Sequence, residues 1–326
     1  MPIHLIPGDP FIYPEQVYGT SCLARLIQQN SGYRAHVLQM APGMLKVRHE
    51  CRIDLDGNVI IGMESNLPLV IIAERNMAVS SVCCALGGSH RVNGTQQELA
   101  DNVIAGFNTE LKTELWQCSA GTTLGVVLFP RTAFTAAAEA DLILGEMLRT
   151  SNAAVAGPLH DEFAACVYRR FSSMPARHKS LPDLALACIK ESEPIPLPEM
   201  TPAVAQVADH LMCPLDKISA GEAVTVENCA ELLALHPDTL SDAIQQLIGL
   251  TPKDFLRIAR TQLLIDLLRS RQACVLRGID ATSLQAMADF AQLSLATAKR
   301  YLKEHTGLTL NQLRSYYEGR RVYAGF

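Results

Sequence analysis

Two stretches near the C-terminal end of the chain follow one template. In the first stretch a small residue, Ala230, is followed 5, 10, 14 and 19 positions later by three apolar residues and a glycine. The second stretch repeats these intervals from Ala288. The matching pairs are Ala230 and Ala288, Leu235 and Leu293, Leu240 and Ala298, Ile244 and Leu302, and Gly249 and Gly307. A small residue at a helix crossing, a turn, a second helix and a closing glycine are typical of a helix-turn-helix unit. The sequence therefore predicts two such units in tandem, which indicates DNA binding.

The composition limits how such a protein could bind DNA. The chain has 326 residues, 48% of them hydrophobic and 19% charged, which suits a globular protein with two domains of ordinary size. Its formal net charge of -5 does not suit a protein that binds nucleic acid with its whole surface. We therefore expect any DNA contact to come from a local basic patch on one of the two units.

The cysteines and the N-terminus indicate a cytoplasmic protein without a metal or other cofactor. The ten cysteines contain no Cys-x-x-Cys pair and no Cys/His cluster of the kind that binds zinc. The first residues lack the basic start and apolar core of a secretory signal. No apolar run approaches the roughly 18 residues that span a bilayer. Free thiols, no membrane partner and a cytoplasmic location follow as expectations.

The residues before the tandem units predict an α+β protein with a β-rich start. Short apolar runs alternate with Gly and Asn turns over residues 1–131, which indicates an antiparallel barrel or sandwich, cupin-like in plan. Residues 16–30 predict an early helix, and residues 132–190 are helical in pattern. The apolar runs are Val59–Ile61, Leu69–Ala73, Val79–Leu86 and Thr123–Phe129, and the later helices are expected at 135–149, 159–171 and 181–189.

A proline-rich segment separates this part from the tandem units. Residues 191–202 contain four prolines in twelve positions, which predicts an extended connector between two domains. Residues 1–190 then form one domain, and residues 203–326 form an all-α domain. Within the second domain we expect one helix-turn-helix at about 224–249, a connecting helix at 252–269 and the other unit at about 283–307.

The two units differ in the charge of their second helix. The second helix of the first unit has no Lys or Arg and carries Asp238 and Asp242, which a phosphate backbone would repel. The corresponding helix of the second unit is basic, so the second unit is predicted to be the main DNA reader. Arginine can bind a guanine edge with two hydrogen bonds, and glutamine can bind adenine. The candidate DNA-binding residues are Thr297, Lys299, Arg300, Lys303, Arg314, Thr239 and Gln245.

Residues 204–317 resemble the DNA-binding region of the AraC/XylS family of bacterial transcription regulators. The residues that carry the resemblance are Ala230, Pro237, Leu240, Gly249 to Pro252, Phe255, Leu256, Arg260, Leu267 and Leu268, and then Ala288, Ser294, Arg300, Leu302, Lys303, Gly307 and Arg314. The resemblance implies a long helix between the units, promoter DNA and a small-molecule effector as partners, a homodimer, and RNA polymerase as a further candidate partner.

The family usually has basic residues in place of Asp242 and Gln245 and a proline in place of Leu310, which puts strong DNA affinity in doubt. A fainter similarity links the N-terminal half and residues 213–235 to pyochelin-type siderophore regulators, which implies a ferric siderophore as effector.

Several further interpretations of single residues remain open. Trp116, the only tryptophan, and His90 are candidate effector-binding residues, although core packing is the favoured interpretation for Trp116 and a surface turn for His90. Cys83 and Cys84 could sense the redox state or form a vicinal disulfide, but neighbours on a predicted strand point to opposite faces, which favours two inert thiols. An apolar face formed by Leu142, Leu148, Phe163 and Val167 is predicted to be core or a dimer interface.

No enzyme is predicted, because the catalytic and phosphate-binding motifs that we considered lack persuasive spacing, and an enzymatic cupin would need more metal ligands than His90 and Glu98. The acidic first unit supports an alternative to a regulator, namely a protein-interaction module of the same fold with weak or lost DNA binding.

Overall fold

The protein is α+β, as the sequence predicts, with strands in its first half and helices in its second. The computed structural model describes residues 15–17, 19–53, 59–74, 79–92, 103–105, 112–130, 147–150, 154, 156–161, 181–195 and 200–320. Helix α1, Thr20–Ser31, confirms the predicted early helix, and α2, Leu181–Lys190, confirms the one predicted at 181–189.

The strands form two antiparallel sheets. Sheet A has eight strands in the order β1-β3-β4-β10-β6-β8-β11-β12, and sheet B has four in the order β2-β5-β9-β7. The described strands therefore form the sandwich alternative rather than one closed barrel. Their bounds are β1 Glu15–Val17, β2 Arg34–Gln39, β3 Val47–Ile53, β4 Val59–Ser65, β5 Leu69–Glu74, β6 Val79–Gly87, β7 His90–Val92, β8 Val103–Ala105, β9 Thr113–Cys118, β10 Thr123–Pro130, β11 Met147–Thr150 and β12 Ser192–Ile195. The four strands predicted from apolar runs are β4, β5, β6 and β10.

Sheet B is a middle layer that is buried on both faces. Along β5, Leu69 and Ile71 pack in a core shared with sheet A, whereas Val70 and Ile72 pack in the core of the C-terminal helices. Successive side chains of a strand point to opposite faces, so a strand between two cores needs apolar residues at every position. This explains the uninterrupted apolar run in β5, which shows no polar alternation.

Two short segments differ from the sequence predictions. Met147–Thr150, at the end of the helix predicted over 135–149, is a strand that pairs with β8 and β12. Ser192–Ile195, within the predicted connector, is that partner strand β12. Pairing in the sheet overrides helical periodicity in the first case. In the second, β12 lies at the edge of sheet A, where the missing N–H of Pro194 is tolerated. Residues 162–171 and most of the proposed dimer face lie outside the described residues.

The C-terminal half is a continuous helical unit. Its helices are α3 Pro202–His210, α4 Met212–Ser219, α5 Val226–Leu232, α6 Pro237–Ile248, α7 Pro252–Arg269, α8 Arg271–Val275, α9 Leu284–Phe290, α10 Leu295–Thr306 and α11 Leu310–Arg320. Helices α5 and α6 form the first predicted helix-turn-helix, α7 is the connecting helix, and α9 and α10 form the second unit.

The two units match at the positions that start, turn and stop their helices. Thr225 and Ser283 cap the first helix of each unit, and His236 and Ser294 cap the second. The turn between the helices contains a left-handed residue at the same place in both units, Ala234 with φ of 50° and Gln292 with φ of 58°. The predicted closing glycines, Gly249 and Gly307, also have positive φ, which glycine adopts without steric cost.

Polar contacts join sheet B to the helical half in addition to the shared core. Asp216 of α4 accepts a hydrogen bond from the Arg34 guanidinium of β2, and its other oxygen lies 2.8 Å from Nε2 of His36. Burial of the Asp216 carboxyl opposes its ionisation, but the bonds from His36 and Arg34 outweigh this and lower its pKa. Arg34 also pairs with Glu74 at 2.6 Å. The two halves are therefore joined by one hydrophobic core and a charged network.

Two histidines, the buried His49 and the half-buried His305, are held as neutral side chains. His49 of β3 is 4% exposed, and its Nε2 has no hydrogen-bond partner among the described residues. Burial lowers its pKa to about 4. Burial, together with the nearby Arg257 guanidinium, also lowers the pKa of His305 in α10 to about 4. Asp266 of α7 behaves in the opposite sense, because burial raises its pKa to about 6.

From the lowered pKa values of the two histidines we predict that acid destabilises the folded state. A histidine near pKa 6.5 when unfolded binds a proton between pH 6.5 and 4 only in the unfolded state, so stability is lost as the pH falls through this range. The cost is on the order of 3 kcal/mol for each histidine. Asp266 partly offsets this loss of stability. Its pKa is raised in the folded state, so as the pH falls its carboxyl binds a proton more readily in the folded than in the unfolded protein. We expect His49→Leu to flatten the slope of unfolding free energy against pH, measured by urea denaturation between pH 4 and 7. Equal slopes in the variant and the wild type would contradict this account.

Candidate nucleic-acid interface

Helix α10 is a rigid element with one buried and one exposed face. Its N-terminus is capped by Ser294, whose Oγ accepts a hydrogen bond from the backbone N–H of Thr297 at 3.2 Å. Ala298 and Leu302 are completely buried in the helical core. Because residues three and four apart share one face of a helix, packing these two residues turns the positions beside them toward solvent.

The exposed face of α10 is basic. Lys299, Arg300 and Lys303 are all exposed, and 63% of the Arg300 side chain is accessible. A structure with Arg300 inside the protein would have excluded it from DNA contact. Its exposed position leaves three cations on one helix, available to phosphates or base edges.

Tyr301 and Glu304 organise the arginines next to this face. The Arg300 guanidinium lies 5.1 Å from the centre of the Tyr301 ring, and that of Arg257, from α7, lies 5.6 Å from it. Glu304 lies 3.8 Å from Nε of Arg300 and 3.9 Å from Nη1 of Arg257. Arg257 is also paired with Asp254 at 3.0 Å. Helix α10 is thus held against α7 by stacked and paired arginines, and Arg300 has Glu304 as a carboxylate partner.

Arg257, Tyr301 and Glu304 were not among the site residues predicted from the sequence. The spacing of Arg300 and Glu304, four residues apart on a helix, was a usable signal for the ion pair. No such signal existed for the contact of Arg257 with Tyr301 and Glu304, because Arg257 lies on another helix.

The second helix of the first unit has a different surface. Thr239 and Gln245, the two candidate residues on α6, are both exposed. Asp242 is exposed beside them, and 92% of the Asp238 side chain is accessible. The predicted acidic face of α6 is therefore present, and the structure brings no Lys or Arg of α6 to it because the helix contains none.

Arg314 and Thr297 have intramolecular partners. Nη2 of Arg314, in α11, donates to the backbone oxygen of Thr282 at 3.3 Å, close to the start of α9. Thr297 Oγ1 accepts a hydrogen bond from the Ser294 hydroxyl at 2.8 Å. Both side chains are partly exposed, so their predicted DNA contacts stay predictions, and each also supports the local fold.

The two candidate effector residues lie apart from this surface. Trp116 in β9 is 8% exposed and packs in the core between the sheets, where its Nε1 donates to Oε2 of Glu114 at 3.2 Å. His90 is the first residue of β7 and pairs with Cys118, and its side chain lies outside the described part. Core packing of Trp116 is thus established, and its contact with an effector stays a prediction.

Among the described residues, no group of three or more His, Cys, Asp or Glu side chains is placed to hold a metal ion. Of the helices that are described, none is both long and apolar enough to cross a bilayer.

The helical half thus contains two tandem helix-turn-helix units, and the second helix of one of them has an exposed basic face. The chain is similar to several solved structures. The AraC-like transcriptional activator CuxR matches with a TM-score of 0.40 at 8% identity, over 72% of this chain and 89% of that chain. ToxT from Vibrio cholerae O395 matches with a TM-score of 0.31 at 11% identity, over 90% and 99%. ToxT bound to (E)-4-(8-methylnaphthalen-1-yl)but-3-enoic acid matches with a TM-score of 0.30 at 10% identity, over 88% and 98%. No protein-family model and no curated protein matches the chain.

Proposed function

We propose that the protein is a sequence-specific DNA-binding transcription regulator of the AraC-like type, with α10 as the main DNA-reading helix. The observation that carries the proposal is the exposed row of Lys299, Arg300 and Lys303 on the second helix of a helix-turn-helix. A helix of this kind enters the major groove, where arginine binds guanine and lysine neutralises phosphates. Helix α6 would follow the adjacent groove with weaker contacts through Thr239 and Gln245.

The remaining assignments belong to the same proposal. Residues 1–190 would bind a small-molecule effector and form a homodimer, residues 191–202 would connect the halves, and residues 203–326 would bind promoter DNA in the cytoplasm. Trp116 and His90 are the proposed effector contacts, and RNA polymerase is a proposed partner. Because sheet B shares its core with the helices, an effector that binds the β-sheets would act on the DNA-binding half through packed side chains.

A second candidate function is a protein-interaction module that has lost most DNA binding. The acidic surface of α6 and the pairing of Arg300 with Glu304 favour it. Both features reduce the positive potential that a DNA duplex would meet.

The dependence of binding on salt separates the two functions. We expect selection from a random DNA library to enrich one motif, and the logarithm of its binding constant to fall with the logarithm of salt concentration with a slope of about -3 or steeper. Three or more cation–phosphate contacts give this slope because each releases condensed counterions. A slope near zero with no enriched motif would favour the interaction module.

A further inference from the structure

Two hydrogen bonds connect the β-sheet half to the same position in both helix-turn-helix units. The side-chain amide of Gln117, in β9, donates to the backbone oxygen of Leu247 in α6. The backbone N–H of Gly43, between β2 and β3, donates to the backbone oxygen of His305 in α10 at 2.8 Å. Leu247 and His305 each lie two residues before the closing glycine of their unit. One donor from the first half thus reaches each second helix at an equivalent carbonyl.

These carbonyls have no partner within their own helices. The last four carbonyl groups of a helix lack the N–H groups that would follow in a longer helix. The closing glycines take one each, since the N–H of Gly249 donates to Gln245 and that of Gly307 donates to Lys303, both at 2.9 Å. The carbonyls of Leu247 and His305 are left for an outside donor. A donor at this end also complements the negative end of the helix dipole.

Both donors are held in place by sheet B. Gln117 lies within the β-ladder, paired with Val70 on one side and Arg91 on the other. Gly43 belongs to a loop fastened by the buried amide of Gln39, which donates to the oxygens of Ala41 at 2.7 Å and Gly43 at 2.9 Å.

The loop that contains Gly43 is closely packed, so a larger side chain at this position would be hard to accommodate. Gly43 has φ of 138°, and a Cβ there would lie 3.3 Å from the Leu67 side chain. Met40 and Met44 of the loop pack against the core of the helices.

We propose that sheet B is a spacer that fixes α6 and α10 relative to each other, so that Gln117 and the Gly43 loop set the separation of the two DNA segments the protein accepts. This inference rests on the proposed DNA-binding function. Gln117 is a positioning residue in this scheme, because it acts on DNA only through the placement of α6. The connecting helix α7 joins the two units along the chain, and sheet B joins the ends of their second helices.

The test is a series of DNA sites in which the two half-sites are moved apart or together one base pair at a time. The wild type should prefer one spacing. Gln117→Met keeps the length of the side chain and removes the donor, and should reduce that preference about fivefold, the change expected for one hydrogen bond. Gln117→Lys keeps a donor and should retain the preference. Gln29→Met, on the exposed side of α1, is the matched control and should behave as wild type.

A second variant covers the case in which Gln117→Met does not fold, as judged by far-UV circular dichroism. Gln39→Met loosens the Gly43 loop and should also flatten the spacing preference. If the wild type prefers one spacing and the folded variants keep it, the spacer inference is overturned while DNA binding stands. A wild type that binds one motif at every spacing equally also overturns the inference. If the wild type enriches no motif and binds DNA without a salt slope, the proposed function itself fails.

Discussion

Replacing Arg300 with alanine should weaken binding to the selected DNA motif about 10- to 100-fold, the range expected when an arginine that binds a guanine edge is removed. The guanidinium is exposed at the surface of α10 and is held there by Tyr301 and Glu304. The loss should concentrate at one base pair of the motif, because a base contact specifies sequence whereas a phosphate contact does not. Fluorescence anisotropy at fixed salt, with single-base variants of the motif, measures both effects.

Arg271→Ala is the matched control for this experiment. Arg271 is an exposed arginine of α8, so its removal changes the net charge by the same amount at a distant element. We expect its effect on affinity to be small and equal for all sequences. An Arg300→Ala protein that binds the motif as tightly as the Arg271→Ala protein would remove Arg300 from the DNA contact.

The second large effect is expected from Leu115→Ala, in the strand between the two cores. Leu115 is 1% exposed and packs with Ile72 of sheet B and with the C-terminal helices. Truncating a buried leucine removes apolar contacts and leaves a cavity, which costs about 2–5 kcal/mol. Urea denaturation can follow both halves at once, since Trp116 fluorescence reports on the sheets and far-UV circular dichroism reports mainly on the helices.

The two signals also test whether the halves unfold together. In the wild type we expect coincident transitions, because sheet B belongs to both cores and cannot lose one face alone. In Leu115→Ala both transitions should move to lower urea concentration. Val275→Ala removes an apolar side chain that is 71% exposed and should leave the curves unchanged. Separate transitions in the wild type would contradict one cooperative unit.

The helix-turn-helix units could be predicted from local sequence patterns. Their buried faces follow the spacing of residues such as Leu240 and Ile244, and Gly249 and Gly307 marked the ends of both second helices. The turns were harder to predict in detail, because Ala234 and Gln292 adopt a left-handed conformation that glycine or asparagine would normally signal. There the packing of two helices imposes the conformation on residues that do not favour it.

The predicted connector shows where a local pattern is insufficient. Four prolines in residues 191–202 indicated an extended chain, and β12 is extended. Composition could not indicate that this segment would pair with β11, because pairing depends on residues more than forty positions away. The same limit applied to Arg257 and Tyr301, which meet only because α7 and α10 pack together.

By itself, the sequence determined the α+β class, most of the strands, the tandem units and the basic character of α10, because each depends on periodicity or charge within a short window. The tertiary structure decided that sheet B lies between two cores, that Gln117 and Gly43 reach equivalent carbonyls of α6 and α10, and that Arg300 faces solvent beside Glu304. These facts join residues up to 262 positions apart, as in the contact of Gly43 with His305. Only the folded chain brings such groups together, since their contacts follow from packing and leave no pattern in the local sequence.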